Sequence, residues 1–150
     1  MSTPKKILLT ALAVILLLGA TPIAAQIAGT WEGTGTSCCC PHPGTIIYPW
    51  QAWVGEIPNS EDVFTGEWKD SLDNRGTFES EILWISTTVA IARGSWYWFD
   101  PTGPSHEPIY GGDFEMKFYV YERECAGTWT SIWPSPCEQG TMRGWKVLPD

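Results

Sequence analysis

From Asp113 to Glu122 apolar and polar residues alternate, with Phe114, Met116, Phe118 and Val120 on one parity and Asp113, Glu115 and Lys117 on the other. Residues i and i+2 of a strand share a face, so the segment predicts a strand with one dry and one wet side, as in an antiparallel sheet. Phe78, Ile82 and Trp84 stand against Glu79, Glu81 and Leu83 in the same way, and Gly94, Trp96 and Trp98 against Ser95, Tyr97 and Phe99. No long helical periodicity follows Gln26.

A triplet Gly-x-Trp punctuates this pattern four times, at Gly29–Trp31, Gly66–Trp68, Gly94–Trp96 and Gly127–Trp129. Each copy is answered downstream by Gly, a small or polar residue and an apolar one: Gly44-Thr45-Ile46, Gly76-Thr77-Phe78, Gly112-Asp113-Phe114 and Gly140-Thr141-Met142. Four hairpins follow, with strands near 27–36, 45–56, 62–69, 76–86, 88–99, 111–122, 124–132 and 139–148. The predicted fold is all-β, an eight-stranded antiparallel up-and-down barrel occupying residues 26–150 as a single domain. Gly and Trp of one triplet share a face, and the Gly leaves room for the indole. Trp31, Trp68, Trp96 and Trp129 are therefore expected inward, at one level, as barrel core. The turn-rich loops that follow the triplet strands all emerge at one end.

Residues 1–25 read as a signal peptide: Lys5 and Lys6 precede an apolar run, Ile7 to Ala20, and small residues lead to Gln26. The run is short for a bilayer span, so a secreted or periplasmic protein without stable membrane insertion is expected. The remaining length suits one domain. The chain carries a net charge of −8, more negative still without Lys5 and Lys6, which argues against nucleic-acid binding. With ten Trp in 150 residues, aromatic burial should dominate the core. An outer-membrane barrel would have to line its lumen with Glu79, Glu81, Asp113, Glu115 and Lys117, and the chain ends Leu148-Pro149-Asp150 without a terminal aromatic.

All five cysteines lie beyond the leader, where disulfides form. Cys38, Cys39 and Cys40, even with His42, lack the spacing that wraps a tetrahedral ion, so no metal site or other cofactor is expected. Cys125 begins the seventh strand and Cys137 lies past its end, about 25 Å away at about 3.3 Å per residue, beyond disulfide reach. In a closed barrel the first and last strands are neighbours, so Cys137 is expected to bond one of Cys38, Cys39 and Cys40, leaving Cys125 free or intermolecular. No catalytic residues are expected, and the protein is read as a non-enzyme. Nucleophile-elbow, zinc-protease, phosphate-loop and dinucleotide motifs are absent. His42 and His106 sit in Pro-rich loops. Glu79 and Glu81 share a strand face as paired carboxylates do in glycosidases, but on the wet side.

An N-terminal strand bearing Gly29-Thr30-Trp31, an eight-stranded meander and a basic residue, Arg143, in the last strand resemble the calycins: lipocalins, fatty-acid-binding proteins and avidins. The resemblance implies that Arg143 covers Trp31 at the closed end and that the open end binds a ligand. Tyr48, Trp50, Trp98 and Trp133 would form an aromatic collar for a small apolar, aromatic or sugar-like molecule. Two alternatives stand beside a secreted small-molecule-binding barrel. One is a structural or interaction protein of the cell envelope or extracellular space, its barrel filled by its own side chains and its contacts made by wet-face Trp53, Tyr97 and Phe99. The other is a carbohydrate-binding module using exposed Trp. An empty, mouth-connected interior favours the first reading and a solid one the structural alternative.

Overall fold

The computed structural model describes residues 26–36, 40–42, 45–103, 107–132 and 139–148. The expected signal peptide lies outside them. Among the described residues every regular element is a strand: β1 (Gly29–Gly35), β2 (Cys40–His42), β3 (Thr45–Ile47), β4 (Ala52–Ile57), β5 (Val63–Lys69), β6 (Arg75–Trp84), β7 (Val89–Phe99), β8 (Pro108–Tyr119), β9 (Glu124–Thr130) and β10 (Gln139–Lys146). Eight of them close into the expected barrel in the order β1-β10-β9-β8-β7-β6-β5-β4, all antiparallel. β1 bonds β4 on one side and β10 on the other, so the first and last strands complete the wall.

The first hairpin departs from the expectation. The strand expected over 45–56 is two: β3 pairs with β2 in a separate ribbon, and β4 enters the barrel. Between them Tyr48-Pro49-Trp50-Gln51 makes a turn, with the Gln51 N–H donating to the Tyr48 carbonyl at 3.4 Å and Trp50 at φ 64°. Pro at the second position and a left-handed third residue are the marks of a type II turn. The turn also shifts the parity of β4. Trp53, expected on the wet face, points inward and is 4 % exposed, because a one-residue offset moves a whole strand to the opposite face.

β8 begins at Pro108, earlier than expected, and carries a bulge: Trp96 pairs with Gly112 and Tyr97 with Tyr110, leaving Gly111 as the extra residue. Inward rings from all around the wall form one core cluster that includes Trp31, Trp53, Phe64, Phe78, Trp96, Phe114 and Phe118. Trp84, expected on the dry face, ends β6 and is exposed.

The N-terminal segment seals the end opposite the long loops. Ile27 is fully buried. The Glu61 carboxylate accepts from the N–H groups of Ile27 (2.8 Å) and Ala28 (3.2 Å). The Lys146 ammonium donates to the Gln26 carbonyl at 3.1 Å, and its burial pushes the Lys146 pKa down.

Candidate functional site

Three of the four triplet tryptophans repeat one geometry. Trp68 donates its indole N–H to the Tyr97 carbonyl (2.9 Å), Trp96 to Thr130 (2.9 Å) and Trp129 to Thr36 (3.1 Å). Each thus crosses an even-numbered strand to reach the next odd one. Each ring lies against a glycine of the strand it crosses: a Cβ at Gly76 would stand 2.3 Å from Trp68 Nε1, at Gly111 2.2 Å from Trp96 Cζ3, and at Gly140 2.5 Å from Trp129 Nε1. The rings meet edge to face, Trp68 on Trp96 at 5.9 Å and Trp96 on Trp129 at 6.1 Å, an arrangement that suits the ring quadrupole. All four are buried as expected, but Trp31 stands apart. It packs on Phe118 at 4.8 Å and donates to the Ile27 carbonyl at 2.8 Å, at the sealed end.

Trp50 packs among the rings of the barrel core. Its side chain is fully buried, stacked on Phe78 at 4.8 Å, with Phe114 at 4.9 Å and Trp53 at 6.5 Å. The turn carrying it is tied to the β5–β6 hairpin. Asp70 accepts from the Tyr48 N–H (2.9 Å) on one oxygen and from Leu72 (2.8 Å) and Asn74 (2.9 Å) N–H on the other. Asn74 Nδ2 also bonds Asp70 (2.7 Å) and the Ile46 carbonyl (2.9 Å), and the Ser71 N–H donates to Gln51 Oε1 at 2.7 Å. Two costs remain in this plug. A left-handed backbone is unfavourable for a bulky residue, and the buried indole N–H groups of Trp50 and Trp53 have no acceptor among the described residues.

Of the expected collar, Trp50 and Trp98 are core residues, Tyr48 is half-buried at the start of the turn, and Trp133 lies outside the described residues. Arg143 does not cover Trp31. It is exposed on the outer wall beside Thr34 and Ala126, because its parity in β10 is that of the wet face. Lys146, at the sealed end, is the direct cross-strand partner of Trp31. Glu79 and Glu81 are exposed on the outer wall, where Glu79 accepts from the Tyr97 hydroxyl at 3.1 Å. Of the cysteines, Cys38, Cys39 and Cys137 fall outside the described residues, and Cys125 is a buried free thiol. Among the described residues, His, Cys, Asp and Glu form no cluster that could hold a metal.

An open hollow of about 630 Å3 is lined mainly by exposed side chains of β10, β1, β4, β5, β6 and β7, with the inward Trp53 and Trp68 also touching it. Trp145, half-exposed, marks one end and Phe99 the other. The Trp145 N–H is held by Glu32 at 3.1 Å. Small side chains, Thr34 and Ala52, lie between, with Val54 beside them. The row toward the sealed end carries Glu32 and Glu67, and the row toward the loops carries Lys69 and Arg75. A second hollow of about 560 Å3 adjoins it, sharing Glu67 and walled by Tyr97. Tyr97 packs on Tyr110 at 6.0 Å, and the Tyr110 hydroxyl donates to Asp113 at 2.8 Å. Desolvation, then Glu79, pushes the Tyr97 pKa up; the Asp113 bond, then desolvation, does so for Tyr110.

Comparison with protein-family models, curated proteins and solved structures finds no match to this chain. Two features of the site escaped the reading by pattern. The Trp50 plug was signalled by Pro49, a turn former inside a run read as one strand. The outer hollow had no signal, because it is assembled from six strands far apart in sequence.

Proposed function

We propose that the protein is a non-catalytic binding barrel whose solid aromatic interior supports a ligand site on its outer wall. One contrast carries this reading. The interior is occupied by the protein's own rings, Trp50 among them, whereas the 630 Å3 hollow between Trp145 and Phe99 is open. Ligand sites concentrate where a concave surface combines apolar area with a few convergent polar groups, and this hollow has both. Export belongs to the same reading, supported by the Lys5–Lys6 and Ile7–Ala20 pattern. So does kinship with the calycins, supported by barrel closure and the Trp31–Lys146 pair. The test is a screen of sugars, aromatic acids and lipids by protein-observed NMR. Hits should shift the Trp145 indole resonance and lose at least tenfold in affinity in Trp145→Ala. Ligands that move the Trp50 resonance and are indifferent to Trp145→Ala would place the site inside.

A second reading, binding in the lumen, is favoured by one observation. Trp50 holds a left-handed backbone and an unbonded buried N–H, so an aromatic guest with a hydrogen-bond acceptor would find the plug poised to exchange. Trp53 Nε1 would be its second donor.

A further inference from the structure

The outer hollow holds a charge arrangement that the fold does not need. Lys69 and Arg75 face each other directly across β5 and β6. Like charges directly opposite on a sheet repel and destabilise it. Acids outnumber bases 17 to 9 in the chain, yet neither of these two cations has a carboxylate partner among the described residues, whereas Arg93 is paired to Glu115 at 2.7 Å. The doublet sits in the wall of the hollow, next to Phe99, and both of its members are exposed. An anion seated between them would relieve the repulsion, and a guanidinium offers a carboxylate two parallel N–H donors.

The opposite row constrains what the rest of that anion can be. Glu32 and Glu67 accept hydrogen bonds and repel further negative charge, so hydrogen-bond donors such as hydroxyls suit the ligand on that side. A nucleic acid strand, with a charge at every phosphate, fails this condition on an acidic protein. The aromatic ends offer flat apolar faces, Trp145 fixed in orientation by its bond to Glu32. The hollow draws its lining from six of the eight strands of the closed barrel, so a ligand that reached both aromatic ends would follow the curve of the wall.

Accepting that the outer wall carries the site, we propose that its ligand is an acidic oligosaccharide. A uronic-acid carboxylate lies between Lys69 and Arg75, ring hydroxyls bond Glu32 and Glu67, and sugar faces rest on Trp145 and Phe99. The repeat chemistry fits the two rows: sparse carboxylates on one edge of the chain, hydroxyls on the other.

Isothermal titration of the exported chain with oligomers of hyaluronan, which carry one carboxylate per disaccharide, beside their methyl ester, tests this. The ester keeps every ring and hydroxyl and removes only the charge. The acids should bind at least tenfold more tightly than the esters at low salt, and the margin should shrink as salt screens the pair. Lys69→Gln/Arg75→Gln should erase the difference between acid and ester, and Trp145→Ala should weaken both forms alike. Circular dichroism and thermal melts should show both variants folded, since all three side chains are exposed. Equal binding of acid and ester, lost in Trp145→Ala, would overturn the acidic-ligand inference while leaving the outer-wall site standing. No saturable binding of the acid would overturn the acidic-ligand inference alone, and binding that survives both variants would overturn the outer-wall site as well.

Discussion

Cys125 sits between Phe118 of β8 and Gly144 of β10 and is 2 % exposed. Burial disfavours the thiolate and pushes its pKa well above the ordinary thiol value. The native thiol should therefore resist Ellman's reagent and react fully only in denaturant. The same shift sets a pH dependence. Below the ordinary thiol pKa, about 8.5, folded and unfolded chains both hold the proton. Above it the unfolded chain releases a proton the folded chain keeps, so stability falls as pH rises, at up to about 1.4 kcal/mol per unit. Urea melts at pH 8 and pH 10 on wild type and Cys125→Ala should show this component only in wild type. Trp50 makes the other single-residue case. Emptying its site should cost about 3–5 kcal/mol in Trp50→Ala, but Trp50→Gly should be the more stable of the two by up to about 1 kcal/mol, because only Gly adopts φ 64° without strain. In an ordinary loop the order is reversed by chain entropy, so equal or inverted stabilities would mean that the turn relaxes when the indole leaves. Free indole should restore part of the lost stability if the lumen can host a guest.

At the scale of elements, the barrel is built from a Trp of one strand seated on a Gly of the next. A methyl group added at Gly76 would lie 1.9 Å from the Tyr97 carbonyl as well as against Trp68. Neither can yield without breaking a β-ladder or an indole bond, so Gly76→Ala should cost at least about 3 kcal/mol, the upper range for overpacking. Gly103→Ala, whose new atom would meet nothing closer than 3.4 Å, is the matched control and should change chemical-denaturation midpoints little. Asp70 is the corresponding joint between the plug turn and the β5–β6 hairpin. Asp70→Ala leaves the N–H groups of Tyr48, Leu72 and Asn74 without their acceptor and should cost about 2–4 kcal/mol, with the emission of Trp50 moving to the red as its turn loosens. These seats show what the sequence made legible. Gly66, Gly94 and Gly127 with their tryptophans announced the strands and the inward face, since spacing of two is a local property. The mates of the rings were only partly readable. Gly112 of the answering motif does pair with Trp96, but the bulge sets Gly111 against its ring, a shift of one residue set by pairing between strands. The parity of Trp53 failed for the same reason.

For the whole molecule, closure of the wall was implied by four hairpins of alternating faces, while the packing of Trp50 and Trp53 into the core was not, because it depends on contacts summed over all strands. Whether Tyr48, Trp50 and Trp98 line a cavity or pack a core depends on a turn that places Trp50 on the axis. The seam between β1 and β10 brings the two ends of the chain together and supports the last prediction. Gly35 pairs with Met142, and beyond the ladder the Thr36 N–H donates to the Thr141 carbonyl at 2.9 Å, with the Thr141 N–H returning to Thr36 Oγ1 at 2.8 Å. The segment holding Cys38, Cys39 and Cys40 thus departs from the point on the rim at which the segment holding Cys137 arrives. Cys125 lies five residues before Thr130 on β9, toward the sealed end and buried, so it does not compete for either. Cys137 should therefore be found bonded to one of the three adjacent cysteines in protein exported to an oxidising compartment. The link would close a loop of about 100 residues across the seam and stabilise the barrel by about 4–5 kcal/mol in the chain-entropy model. Non-reducing peptide mapping checks the pairing, and the denaturation midpoint with and without reductant checks its size. A peptide joining Cys125 to Cys137 would contradict the placement of β9, and an unchanged midpoint on reduction would mean that backbone pairing between β1 and β10 holds the wall closed without a covalent tie.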